Sequence, residues 1–488
     1  MTETAWILTA SVLAVVLLLF LIIRLKFQPF VALLVAAIVF GLGTGTAPLD
    51  LVDQIVDRMG GTLGQVALVI GLGAVFGEVL RRAGAAERLA TTLVDRVPER
   101  YLAWALGLTG FLVSIAVFID VAIVILVPLL YAIARRTGRS LLYYGIPLCA
   151  GLSVTHTFVP PTPGPIATAG IMGADLGLVI VFGVICGLPA MAVAGPLFGR
   201  FISRRIFVPA PAETVPVNTG TGGGGGVGGS GDHGGAAEGT ATDSAGGTDA
   251  DATDGLPARG DTDPLPGFAS VLGALMLPLL LILGGTTSGL LLPEGSAAAV
   301  ALGFIGHPVI ALLLTCLYTL WFFGVRRGRT GTELQEMATK ALAPAGVIIL
   351  ITGAGGVFGA LLVDSGLGEV LAGGMQRIDM PIVLFGFLAA AVIRISQGSG
   401  TVAMITGATL TAPLLETVEA NPALIALACI AIACGGTAFS HVNDSGFWMA
   451  NRFLGMTVAD TLKSWTVMKT LVGVTGLAMV LLLVPFVT

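Results

Sequence analysis

Apolar runs of about 20 residues, each long enough to cross a bilayer as a helix, recur along nearly the whole chain and narrow its fold more than any other feature. Clear examples cover residues 6–23, 30–42, 178–198, 268–292 and 465–487. Only 11% of the residues are charged and mean hydropathy is +0.96, whereas soluble domains carry about 25% charged residues. The expected fold class is therefore an all-α polytopic membrane protein. The first run is too long for a signal-peptide core and lacks a small-residue cleavage site after it, so it is expected to stay as a helix. Five cysteines (Cys149, Cys186, Cys316, Cys429 and Cys434) lie inside apolar runs without CxxC spacing. That pattern fits packing, and indicates neither a disulfide framework nor a metal cluster.

Charge is distributed unevenly. Between residues 209 and 267 stand nine acids and one base, which together account for −8 of the chain. The remainder is then +3 although the whole is −5. This segment is dense in Gly, Asp, Thr and Ala and nearly free of large apolar groups. It has nothing to bury against the entropy cost of ordering, so 209–266 is expected to be a disordered acidic linker. Its poly-Gly tract is not followed by GK[ST] and follows no strand, which sets aside a phosphate loop. The spacing of a calcium loop is also missing, and the solitary His233 reads as solvated.

On either side of this linker, 1–208 and 267–488 form two membrane halves that repeat one another. Gly73-Ala-Val-Phe-Gly77 with Gly84 and Glu87 corresponds to Gly355-Gly-Val-Phe-Gly359 with Gly366 and Glu369, at an offset of 282. At an offset of 285, Pro128 falls on Pro413, Gly151 on Gly436 and His156 on His441. Shared order at a nearly shared offset argues for an internal repeat. The basic clusters (Arg24 and Lys26; Arg81, Arg82 and Arg88; Arg135, Arg136 and Arg139; Arg200, Arg204 and Arg205; Arg326, Arg327, Arg329 and Lys340) suit the cytoplasmic face. That assignment requires the chain from 101 to 134 to enter the membrane and return. The N-terminus is then outside and the linker cytoplasmic. Segment 62–80 and its partner 342–363 run in opposite directions, so the repeats are expected to be inverted, with broken helices and re-entrant hairpins. Secondary transporters use this plan, with the site near the midplane.

Three stretches place polar groups and helix breakers at membrane depth. In Ile393-Arg-Ile-Ser-Gln-Gly-Ser-Gly-Thr-Val402, Gly398 and Gly400 each weaken a helix by about 1 kcal/mol relative to Ala. A half-helix starting at Ser399 or Thr401 would aim free N–H groups and the positive dipole end at a carboxylate. Arg394 is costly in lipid and should face a protein or aqueous cavity, with Gln397 nearby. The competing reading is a small-residue helix contact. The stretch from Gly151 to Pro165 carries four prolines within six positions, which cannot continue a helix. Extended backbone there would line a cavity with Thr155, His156, Thr157 and Thr162, or form an ordinary loop. In the third, Gly435, Gly436 and Gly446 bracket Ser440, His441, Asn443, Asp444 and Ser445. Asn443, Asp444 and Ser445 have two compatible roles, capping a helix that begins near Gly446 and facing a substrate. Asp120, alone among apolar neighbours, reads as a proton carrier. Glu78 beside Arg81 and Arg82 reads as a helix-surface ion pair.

GxSxG, HExxH and paired histidines at ligand spacing are missing, so the chain is not expected to be an enzyme, nor to need a cofactor or a metal. At its motifs it resembles the gluconate permease (gluconate:proton symporter) family of the ion-transporter superfamily. The stretches carrying the resemblance are GLGAVFGEVLRRAGAAERLA, FIDVAIVILVPL, THTFVPPTPGPIATAGIMGADLG, RISQGSGTVAMITGA and SHVNDSGFWMANRFLGM. They span both halves; the long acidic linker departs from the family's usual pattern. The resemblance implies proton-coupled uptake of sugar acids and related hydroxy acids, and points at Asp120, His156, Thr162, Arg394, Gln397, Ser399, Thr401, His441, Asn443 and Asp444. Beyond it, Ser399, Gly400 and Thr401 are expected to hold the carboxylate, with Arg394 supplying charge. Asn443, Thr162 and the two imidazoles, with Thr155 and Ser445 beside them, are expected to read the hydroxyls. Asp120 or Asp444 is expected to carry the coupling proton. Expected partners are a small carboxylate, protons, the bilayer and a second copy in a homodimer, with no nucleic acid. Glycerate, lactate, a ketogluconate or D-serine would fit as substrates too, and a cation/proton antiporter is the reading from another class. A channel or sensor would need a polar pore stripe or a folded soluble domain, and neither is evident.

Overall fold

A computed structural model describes residues 3–210, 265–293, 296–365, 380–415, 420–442 and 444–487. Most of the linker (211–264), Gly366 and Glu369 of the second GAVFG-like motif, and Asn443 lie outside the described residues. Every regular element within them is helical. In the first half these are α1 (Glu3–Ile23), α2 (Pro29–Gly43), α3 (Pro48–Arg82), α4 (Ala85–Arg96), α5 (Leu102–Val113), α6 (Ile119–Thr137), α7 (Leu142–Phe158), α8 (Pro163–Met172) and α9 (Leu176–Ile202). The second contains α10 (Phe268–Leu291), α11 (Ala297–Gly306), α12 (Pro308–Arg327), α13 (Gly331–Asp364), α14 (Ile382–Gln397), α15 (Gly400–Leu415), α16 (Pro422–Thr437), α17 (Ser445–Phe453) and α18 (Val458–Phe486). Among them α9, most of α10, α12, α13 and α18 are long and apolar enough to cross a membrane, and the bent α3 joins them if taken as one span.

Of the connections between these helices, four recur at matching places, two in each half, and are called breaks below. They lie at 114–118 (α5/α6), 159–162 (α7/α8), 398–399 (α14/α15) and 438–442 with 444 (α16/α17). The order helix, break, helix, helix, break, helix, long helix thus occurs twice. At 9 to 17 residues, α5, α7, α8, α14, α15, α16 and α17 are each shorter than the roughly 20 residues a span requires.

Packing repeats along with the order. Helix α5 lies against α7 and α7 against α9, as α14 lies against α16 and α16 against α18. Close approach in each half depends on glycine. A Cβ on Gly151 would sit 2.0 Å from the Gly107 carbonyl oxygen, and one on Gly435 would sit 2.1 Å from that of Phe387. Small residues of this kind let helix backbones touch where lipid supplies no hydrophobic drive for association. Between the halves, α8 packs on α15 and α16, α17 packs on α6, and α3 lies along α13.

Glycines of the GAVFG motif face the first half's two breaks. A Cβ on Gly77 would fall 2.1 Å from the Ala116 carbonyl oxygen, and one on Gly73 would fall 3.1 Å from that of Pro161. Glu78 pairs with Arg81 at 2.6 Å and Arg82 at 2.7 Å, as expected for a helix-surface cluster. All five cysteines are buried and free.

One expectation needs correction. The chain is not extended from Gly151 through the prolines: α7 continues to Phe158, so Thr155, His156 and Thr157 are helical. A proline restrains the residue before it. Helix formation therefore persists to Phe158, and only Val159 to Thr162, with a cis Pro160-Pro161 bond, leave it.

Candidate functional site

Arg394 sits in the last turn of α14 and is 3% exposed. Its helix stops because Gly398 takes φ 90°, a left-handed conformation that glycine adopts readily. The turn brings the Gly398 carbonyl back to accept a hydrogen bond from the Arg394 guanidinium. A second guanidinium nitrogen donates to the Asp444 carboxylate. Asp444 also accepts from the Ser440 hydroxyl and, at 3.1 Å, from the Gly446 N–H, which makes it the N-cap of α17. Trp465 of α18 donates its indole N–H to Ser440 at 2.7 Å. A single carboxylate thus ties the ends of α14, α16 and α18 to the start of α17.

Two other contacts fix the same place. His441 donates from Nε2 to the Ile395 carbonyl at 3.0 Å. Gly400 and Gly436 lie close enough that a Cβ on Gly400 would be 3.1 Å from the Gly436 carbonyl oxygen and 3.7 Å from the Arg394 guanidinium. The two breaks of the second half therefore meet at Arg394. Within the second break Phe439 has φ 56° without being glycine, a conformation costing of order 1–3 kcal/mol that clusters at functional sites.

Ser399 N-caps α15, its hydroxyl accepting from the Val402 N–H at 3.4 Å. Thr401 lies in that first turn, half-buried. The α8 end of the first half reaches α15 as well, where a Cβ on Gly164 would meet the Met404 sulfur at 3.2 Å. Across the assembly, His156 rests edge-on against Phe118, ring centres 5.9 Å apart, so the first half's two breaks are also neighbours.

The expected residues separate into groups. Arg394, Ser399, Gly400, His441 and Asp444 gather around the α14/α15 break. Gln397 is in the final turn of α14, with its Oε1 buried and unpartnered. Thr155 Oγ1 and His156 Nδ1 are buried and unpartnered on α7. Thr162 is committed locally, since its hydroxyl donates to the Val159 carbonyl at 2.8 Å. Ser445 opens α17 and is exposed. Asp120 falls in the first turn of α6, and its side chain lies outside the described part. Asn443 lies outside the described residues.

Lys469 is absent from the residues expected from sequence. It is 6% exposed on α18, its ammonium lies 5.6 Å from the Trp465 ring centre, and it is within electrostatic reach of Cys149, His156 and Asp444. The signal was present: a single lysine in an apolar run, as informative as the single acid at Asp120.

Arg394 and the N-terminal ends of α15 and α17 thus meet where the helices break, with Lys469 within electrostatic reach of Asp444. Such N–H groups and dipole ends favour anions. On α7, α15, α16 and α18, Ser153, Thr155, Thr406, Thr437 and Thr466 carry buried hydroxyls that are unpartnered among the described residues. Leaving a buried polar group unpaired costs about 1–3 kcal/mol, so these hydroxyls suit a polyhydroxylated guest or water.

Comparisons with known proteins agree with this architecture. The sequence signature described as GntP family permease matches residues 6–219 and 248–487. The gluconate permease of Pseudomonas aeruginosa is 36% identical over 99% of this chain and 98% of its own. The low-affinity gluconate transporter of Escherichia coli K12 is 36% identical over 98% and 97%. The crystal structure of the YdaH transporter of Alcanivorax borkumensis superimposes with a TM-score of 0.62 at 15% identity, covering 94% of this chain and 99% of that one. That likeness speaks for the fold. With matches running through both halves, the chain belongs to the GntP family of permeases, a multi-pass membrane transporter and not an enzyme.

Proposed function

We propose that the protein carries gluconate, or a related small sugar acid, across the cytoplasmic membrane by proton symport. The observation that carries this reading is the meeting of Arg394 with the starts of α15 and α17, Gly400 lying against its guanidinium and Asp444, its ion-pair partner, capping α17. A carboxylate would take the N–H groups after Gly400 and the Ser399 and Thr401 hydroxyls. Its polyol tail would bond to Thr155, His156, Gln397 and Thr437. Relatives that are named gluconate permeases over nearly their full length support the same substrate class.

In this reading the two halves are inverted repeats and the four breaks are the tips of re-entrant hairpins. The twice-occurring order of helices and breaks, and the half-length helices flanking them, support it. The N-terminus is placed outside and the linker in the cytoplasm. Asp444 and Asp120 are the candidates for the coupling proton. While Asp444 holds Arg394, the guanidinium is shared between carboxylate and Gly398. Protonating Asp444 would release Arg394 to the substrate and link the two cargoes.

Uptake of radiolabelled gluconate into proteoliposomes, with a panel of unlabelled competitors, tests the substrate. Competition is expected from gluconate and other hydroxylated monocarboxylates, and not from the neutral sugar alcohol of the same chain length. If the sugar alcohol competed as well as gluconate, the carboxylate site would be wrong.

A further inference from the structure

Away from the transport site, a cleft of about 500 Å³ opens where the start of α5, the α6/α7 turn and the end of α9 come together. Its lining includes Arg100, Arg139, Arg200 and Arg204 with Ser140 and Ser203. Four guanidiniums around one concavity repel one another unless something anionic sits among them. Arg139 approaches Glu99 at 3.4 Å. Among the described residues, Arg100, Arg200 and Arg204 pair with no carboxylate.

The cleft is also built. Ser140 is buried and holds one wall in place: its hydroxyl accepts from the Val208 N–H at 3.0 Å and donates to the Ile206 carbonyl at 3.2 Å, while the Leu141 N–H donates to the Val208 carbonyl at 2.9 Å. Arg139 lies over the Tyr143 ring at 4.8 Å, which aims it into the opening. Tyr143 in turn packs edge-on against Tyr144, which donates to Thr137 at 3.0 Å.

Directly beside this cationic cleft the surface turns apolar. Tyr101, Trp104 and Leu108 form an exposed stripe on α5, and Leu197 and Phe201 form another on α9. Arg205 stacks on Phe201 at 4.3 Å, closing the border between the two zones. Aromatic side chains next to arginines mark the level of lipid headgroups. A basic pocket at the end of the spanning helix α9 at that level suits an anionic headgroup, and a guanidinium offers phosphate two parallel hydrogen bonds.

We propose that this cleft binds the phosphodiester headgroup of an anionic phospholipid, with the arginines on the phosphate, Ser203 on its oxygens, and the acyl chains lying along the α5 and α9 stripes. Free phosphate shares the headgroup chemistry but would leave both stripes unused. The site is separate from the transport path, so it stands whichever substrate the transporter carries.

Native mass spectrometry of the full chain titrated with phosphatidylglycerol and with phosphatidylcholine tests this. The wild-type chain should retain phosphatidylglycerol selectively. Replacing Arg139, Arg200 and Arg204 together by Gln should weaken retention by about fivefold per arginine, and Arg204→Gln alone by about fivefold, which keeps the test alive if the triple variant does not fold. Replacing Arg326 and Arg327 by Gln, in the other half, should leave it unchanged. Unchanged retention in both cleft variants would overturn the proposal, as would equal retention of phosphatidylcholine. Complete displacement of the lipid by inorganic phosphate would assign the cleft to a soluble anion and overturn the lipid reading.

Discussion

Asp444 meets three demands at once: it caps α17, it neutralises Arg394, and it accepts from a serine held by Trp465. Removing its charge leaves Arg394 buried and uncompensated, which costs about 3–5 kcal/mol for a broken buried pair. Asp444→Asn should therefore lower the thermal midpoint of the purified protein strongly and abolish uptake. Ser440→Ala strands the Trp465 N–H and takes one donor from Asp444 while leaving its pair with Arg394, a loss of about 1–3 kcal/mol, and should lie between Asp444→Asn and wild type. Arg58 pairs with Asp364 at 2.8 Å, but both side chains are roughly half exposed, at 50% and 42%. An exposed pair contributes about 0–1 kcal/mol, so Arg58→Ala should melt with wild type. A midpoint for Asp444→Asn equal to that of Arg58→Ala would contradict the assigned role of the buried pair.

At the scale of elements, glycine sets which helices can touch. Gly151 and Gly435 each face a neighbouring backbone carbonyl that cannot rotate away. Alanine gains up to about 1 kcal/mol of helix propensity there but forces apart a tight contact, at a typical cost of about 1–3 kcal/mol. Gly151→Ala and Gly435→Ala should both lower the thermal midpoint. Gly60, with nothing within 4 Å, is the control, and Gly60→Ala should leave the midpoint unchanged or raise it. These elements differ in how far sequence foretold them. The α14/α15 break was legible because two glycines and a polar cluster interrupt an apolar run. The break at the prolines is shorter than four prolines imply, because a proline bars the helix at its own position and disfavours it at the residue before, so α7 runs on to Phe158. The Arg394–Asp444 pair joins residues 50 apart in the chain, and the Ser440–Trp465 bond joins residues 25 apart. No local pattern encodes such meetings. Lys469 is legible in principle as the one charge in the apolar run from 465 to 487.

For the molecule as a whole, one order of helices and connections occurs twice. Matching offsets in sequence correspond to two matching series of helices and breaks, each with glycine-mediated contacts between equivalent neighbours. Transport by alternating access follows if the two series are inverted about the site, since each half then presents its breaks to it from the opposite side of the membrane. Coupling follows if protonation of Asp444 is what frees Arg394 for the substrate, so that proton and substrate bind together. The most direct measurement is gluconate uptake into proteoliposomes under an imposed gradient of either protons or sodium. An inside-alkaline pH gradient should drive accumulation above the external concentration, a sodium gradient at equal pH should not, and a proton ionophore should collapse the accumulation. Accumulation that follows sodium and survives the ionophore would contradict proton-coupled symport.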